Sequence, residues 1–144
     1  MCSGSFPNVG FVPTLIAAVE GYALAGGCEI TLACDLIVAA RDAKFGLPET
    51  KRSLVAGAGG LFRLPQRIPR AIAMEYALTG EFFSAEDAGT WGLVNRLTDP
   101  VGVAEVLLPI GQALGSLLGD DVEAVRAEAR MQAIQRGALV LGGS

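Results

Sequence analysis

The chain has 144 residues, enough for one domain with a buried core, and no histidine. The missing histidine excludes Ser-His-Asp and Cys-His catalysis, HExxH zinc sites and facial-triad iron sites within it. A net charge of −4 argues against a nucleic-acid partner, and although 51% of residues are hydrophobic, Gly, Pro or a charge interrupts every apolar stretch before bilayer-spanning length. The apolar surplus therefore points to burial against further copies of the chain, a homo-oligomer, with no membrane involved.

Residues 1–12 read as an irregular lead-in of small residues that includes Pro7. No basic residue precedes Arg41, so the start does not read as a secretory signal. Leu15 to Val19 is a short continuous apolar run, the pattern of a strand buried on both faces, and Glu20-Gly21 ends it. A short helix is expected from Gly26 to about Ala33, then strands at Leu36–Ala39 and Ala43–Phe45, interrupted by Pro48-Glu49. Ser53 to Gly60 is a small-residue loop, Leu61 to Leu64 a helical turn before Pro65, and Arg70 to Leu78 a firmer helix closed by Thr79-Gly80. Ser84-Ala-Glu-Asp87 starts a capped helix of one or two turns, Leu93 to Leu97 is a further strand, and two amphipathic helices are expected over 103–118 and 121–136. The Gly-Gly-Ser terminus reads as frayed. Alternating strands and helices place the chain in the α/β class.

Two glutamates carry the chemistry. Glu29 sits in the first turn of a helix opening on Gly26-Gly27, and Glu49 follows twenty residues later in Phe45-Gly-Leu-Pro-Glu49. Apolar surroundings are where carboxylates become acids and bases useful at neutral pH. The paired glycines leave the unpaired amides at the positive end of the helix open to a ligand oxygen. Each residue also has a plainer reading: Glu29 as a complement to the helix dipole, Glu49 as a solvated loop acid. Gly57-Ala-Gly-Gly60 suggests a phosphate cradle, but no Lys-Ser/Thr follows it, so close backbone packing at a helix start is the better reading. Phe62, Phe82 and Phe83 read as acyl-pocket lining or as core, with core favoured. Cys2, Cys28 and Cys34 are odd in number, as suits reduced thiols in a cytoplasmic protein. Cys28 reads as a small buried hydrophobe rather than a nucleophile, since no histidine can activate it.

Taken in order, Pro13-Thr-Leu-Ile-Ala-Ala-Val-Glu-Gly-Tyr-Ala-Leu-Ala-Gly-Gly-Cys-Glu29, Ala43-Lys-Phe-Gly-Leu-Pro-Glu49, Gly57-Ala-Gly-Gly-Leu-Phe-Arg-Leu-Pro65, Ala77-Leu-Thr-Gly80 and Trp91-Gly-Leu-Val-Asn-Arg96 resemble the crotonase superfamily, and within it the enoyl-CoA hydratases. The resemblance covers residues 13–97 almost without a gap. It implies a partial β-β-α spiral core over 13–100, followed over 101–144 by a helical region that serves oligomerisation, as a trimer or a dimer of trimers. It implies an acyl-CoA thioester substrate, with coenzyme A as part of the substrate and no metal or other cofactor. By position, the Gly26 N–H would polarise the thioester carbonyl, Glu29 would help activate the water that adds at C3, Glu49 would give a proton to C2, and the Gly57 N–H would hold that water. It also implies an upstream portion with a second oxyanion amide and a coenzyme A loop, and nothing like that loop precedes Pro13. The sequence thus reads as the C-terminal part of such an enzyme, with an open strand edge and weak or absent turnover. A sister isomerase or hydrolase, or an inactive remnant that joins homologous subunits, is the alternative.

Overall fold

The computed structural model describes residues 14–100, 102–118, 133–134 and 138–142. β1 (Leu15–Val19) and β2 (Tyr22–Leu24) lead into α1 (Gly26–Ala33), followed by β3 (Leu36–Ala40), β4 (Lys44–Gly46) and a 3-10 turn at Pro48–Arg52. β3 lies parallel to β1 and β4 parallel to β2, so each strand pair stacks on the one before it with α1 as the crossover. That is one full step of a β-β-α spiral. The apolar runs of β1 and β3 form its centre, with Val19, Ile37, Val38 and Ala39 fully buried.

α2 (Gly60–Arg67), α3 (Arg70–Thr79), β5 (Phe82–Ser84), α4 (Ala85–Thr90), β6 (Arg96–Thr98) and α5 (Val103–Leu118) follow. β5 pairs antiparallel with β4, and β6 pairs parallel with β3. Gly80 closes α3 in the left-handed region at φ 66°, and Ser84 caps α4 by accepting the Asp87 N–H at 3.0 Å, both as the sequence suggested. Among the described residues no helix is long and apolar enough to cross a membrane.

Four expectations shift. α2 does not stop before Pro65 but runs through it. The proline forfeits only its own bond to the carbonyl four residues back. Arg67 then fixes the last turn by donating to the carbonyls of Leu32 (3.2 Å), Cys34 (2.6 Å) and Asp35 (3.3 Å) at the end of α1. The strand expected at Leu93–Leu97 begins later, because the Leu93 and Val94 N–H groups both turn back to the Ala88 carbonyl after Gly92 (φ 85°). β2 and β5, three residues each, were not expected. Most of the helix expected over 121–136 lies outside the described residues, but Ala133–Ile134 form β7 and Ala138–Gly142 form β8. β8 pairs antiparallel with β1 from Leu15↔Gly142 to Val19↔Ala138. The edge of β1 that the sequence left open is therefore filled by the chain's own Ala-Leu-Val-Leu-Gly run, which satisfies backbone groups that would otherwise template association.

Candidate active site

The α1 helix opens under strain. Ala25, its N-cap, has φ 51° and ψ −125°, a conformation rare for a residue with a side chain. Two hydrogen bonds hold it: the Ala25 N–H donates to the Gly46 carbonyl, and the Glu29 N–H donates to the Ala25 carbonyl, both at 3.0 Å. No side chain caps the helix, and a Cβ placed on Gly26 or Gly27 would meet nothing within 4 Å. The helix thus starts with no side chain over its positive end and with room beside both glycines.

One turn in, Glu29 is only 5% exposed. Its Oε1 accepts the Ala58 N–H at 2.8 Å and the Gly60 N–H at 3.0 Å. Gly60 has to be small: a Cβ there would lie 3.0 Å from Glu29 Cγ and 3.0 Å from both Leu47 methyls. Gly59, at φ 108°, turns the loop so that these alternate amides share one acceptor. The close-packing reading holds at Gly59 and Gly60, where the helix starts. Which amides face the carboxylate was missed, since a run of small residues announces close approach without naming the donors. Gly57 is exposed at the mouth of the loop, with only the Val55 carbonyl within 4 Å of where its Cβ would stand.

Glu49 is the second residue of the 3-10 turn, and its carbonyl accepts the Leu54 N–H at 2.9 Å. The Ser53–Gly60 loop is therefore fastened at one end to Glu49 and at the other to Glu29. Glu49 Oε2 is buried and has no hydrogen-bond partner among the described residues. Such an oxygen is expensive to leave unmatched, and it marks where a polar ligand atom or water belongs. Glu49 lines a cavity of about 240 Å³ otherwise walled by Leu47, Leu54, Leu61, Leu64, Met74 and Leu78, with smaller residues between them. Among the described residues Glu49 is the sole ionisable group in that lining. None of the three phenylalanines lines it: Phe83 is core, while Phe62 and Phe82 are largely exposed.

Cys28 lies behind the site with its side chain fully buried. Burial above all, then the negative charges of Glu49 and Glu29, push its thiol up to about 12, against a smaller lowering by the Gly46 backbone. It is a packing residue, as expected, and not a nucleophile. The native thiol stays protonated where an unfolded one, near 9.0, ionises, so the unfolded state binds fewer protons. This contribution to stability is intact below pH 9 and is lost as pH rises towards 12. Peptide mapping after alkylation at pH 8.5 should find Cys28 unmodified in the folded protein and modified in denaturant. Ready modification of the folded protein would contradict this burial.

Residues 11–135 match the family model described as enoyl-CoA hydratase/isomerase. Among curated proteins, the chain is 42% identical over 123 residues to (E)-benzylidenesuccinyl-CoA hydratase of Thauera aromatica, covering 85% of this chain and 48% of that one. It is 46% identical over 100 residues to carnitinyl-CoA dehydratase of Salmonella typhi, covering 69% and 38%. Among solved structures, an enoyl-CoA hydratase of Mycobacterium marinum superposes with a TM-score of 0.69 at 52% identity, over 83% of this chain and 48% of that chain. One of Mycobacterium tuberculosis H37Rv does so at 0.67 and 61% identity, over 68% and 39%. The chain spans about half or less of the length of these relatives. With the family model matched along most of its length, the chain belongs to the enoyl-CoA hydratase/isomerase family.

Proposed function

We propose that the protein adds water across the C2–C3 double bond of a 2-enoyl-CoA thioester whose acyl tail is apolar. The observation that carries this reading is the buried, unpartnered Oε2 of Glu49, a residue that lines an apolar cavity and is fastened through one loop to the amide-held carboxylate of Glu29. The thioester carbonyl would take the Gly26 amide, where enolate charge develops as water attacks C3. Glu29 Oε1 is occupied by two amides, which leaves Oε2 to accept the proton of the attacking water. Glu49 delivers a proton to C2, so the C3–O and C2–H bonds form together at the expense of the double bond. Gly57, exposed in the same loop, would offer its N–H to the water. Coenzyme A belongs to the substrate, and no further cofactor enters the reaction.

The cavity also argues about the acyl group. The benzylidenesuccinyl group carries a free carboxylate, and the carnitinyl group, whose one carboxyl is the thioester, carries a quaternary ammonium. Among the described residues the lining contains no Arg or Lys to pair the one and no aromatic ring to cage the other. The described residues offer a single amide, at Gly26, for the carbonyl, so turnover is expected to be slow and binding is the more direct measurement. Calorimetry should find a saturated, unbranched acyl-CoA bound at least about tenfold more tightly than carnitinyl-CoA, a difference of about 1.4 kcal/mol. Equal affinities, or a preference for the charged thioester, would refute the apolar-tail assignment.

A further inference from the structure

Arg63 does more than decorate α2. Its backbone N–H makes the first helical bond, to the Gly59 carbonyl at 3.0 Å, and its Nη1 donates to the Ala58 carbonyl at 2.9 Å. The guanidinium lies so closely over the loop that any Cβ on Gly59 would collide with Nη1, and it rests 6.0 Å from the centre of the Phe62 ring. Ala58 is consequently bracketed. Its carbonyl faces a cation, and its N–H, 2.8 Å from Glu29 Oε1, faces an anion. Hydrogen bonds to charged groups are stronger than neutral ones, and here two of them grip opposite ends of one residue. Gly59, held left-handed at φ 108°, has no side chain to stabilise that turn by itself.

We propose that Arg63 is a positioning residue for the Glu29 carboxylate, acting through the Ala58 peptide. The guanidinium fixes the rotation of the loop, and the loop then presents the Ala58 and Gly60 amides to the same oxygen. Without the guanidinium, Ala58 turns away and Glu29 is left with one donor and a wider range of rotamers. The consequence for catalysis rests on the water-addition reading, whereas the consequence for the loop does not.

Amide hydrogen exchange measured by NMR on the intact chain tests the loop directly. Arg63→Met keeps the aliphatic bulk and removes the donor. It should speed exchange at Ala58 and Gly60 by about tenfold while Ile37 and Val38 in β3 keep wild-type protection. Arg63→Lys, with one donor in place of a fork, should recover part of the protection. Unchanged exchange at Ala58 and Gly60 in Arg63→Met overturns the proposal. So does faster exchange spread evenly through β3, which would make the arginine merely structural. In turnover of a short 2-enoyl-CoA, Arg63→Met should lower kcat about tenfold with KM within twofold, and a rise in KM alone also counts against the proposal. If no thioester is turned over, the water-addition reading fails while the exchange result still decides the role of Arg63.

Discussion

Glu49→Gln should lower water addition to a short 2-enoyl-CoA by about 10²-fold or more while leaving the thioester bound, and Glu29→Gln should do the same. The two losses have different origins. A glutamine at 29 still offers a carbonyl oxygen to Ala58 and Gly60, whose bonds of 2.8 and 3.0 Å hold the loop. It therefore keeps the shape of the site and removes only the oxygen that accepts the proton from water. A glutamine at 49 occupies the cavity wall as the carboxyl does, yet has no acidic proton to place on C2. If the two groups serve one concerted addition, as proposed, the double variant should be scarcely worse than either single one. Affinity for a saturated acyl-CoA and the thermal midpoint should stay near wild type in all three. Turnover that survives in either glutamine variant would remove water addition as the reading of this site.

The largest expected loss of stability lies away from the carboxylates. Phe83 is 1% exposed and joins three rings: Phe45 stacked at 5.8 Å, Tyr76 edge-on at 5.1 Å and Trp91 tilted at 5.6 Å between centroids. Through them it ties β4, α3 and the end of α4 together. Phe83→Ala should cost about 3–5 kcal/mol, from lost burial plus a cavity the rings cannot close. That is a large share of the ~5–15 kcal/mol that holds a domain of this size. Urea unfolding followed by Trp91 fluorescence would show it as a lower midpoint. A change below about 1 kcal/mol would mean the rings repack around the gap.

Much of this was readable from the residues. β1, α1, β3 and α3 appear within a residue of where the apolar runs and glycines place them, since a buried parallel strand and a glycine-closed helix each leave a local mark. Glu29, Glu49 and the open α1 start were also visible, because a carboxylate in an apolar segment and a glycine pair at a helix start are rare enough to notice. What stayed hidden depends on partners distant in sequence. Tyr22–Leu24 and Phe82–Ser84 are too short for a two-residue period and become strands only on either side of β4. Ala138–Gly142 becomes a strand because β1 has an edge to offer. The Ala58 and Gly60 donors follow from the turn at Gly59, and Ala25 at positive φ follows from its bond to Gly46; no neighbouring residue announces either.

The three carbonyls that Arg67 gathers at the far end of α1 give that helix a second point of attachment to α2. Glu29, gripped by the loop that leads into α2, is the first. Joined at both ends, the two helices cannot pivot separately, and the direction of the Gly26 amide is set before any ligand arrives. If the Gly26 amide takes the thioester carbonyl as proposed, a dipole fixed in advance need not turn when charge appears in front of it, and the reorganisation that water would have to perform would be completed when the chain folds.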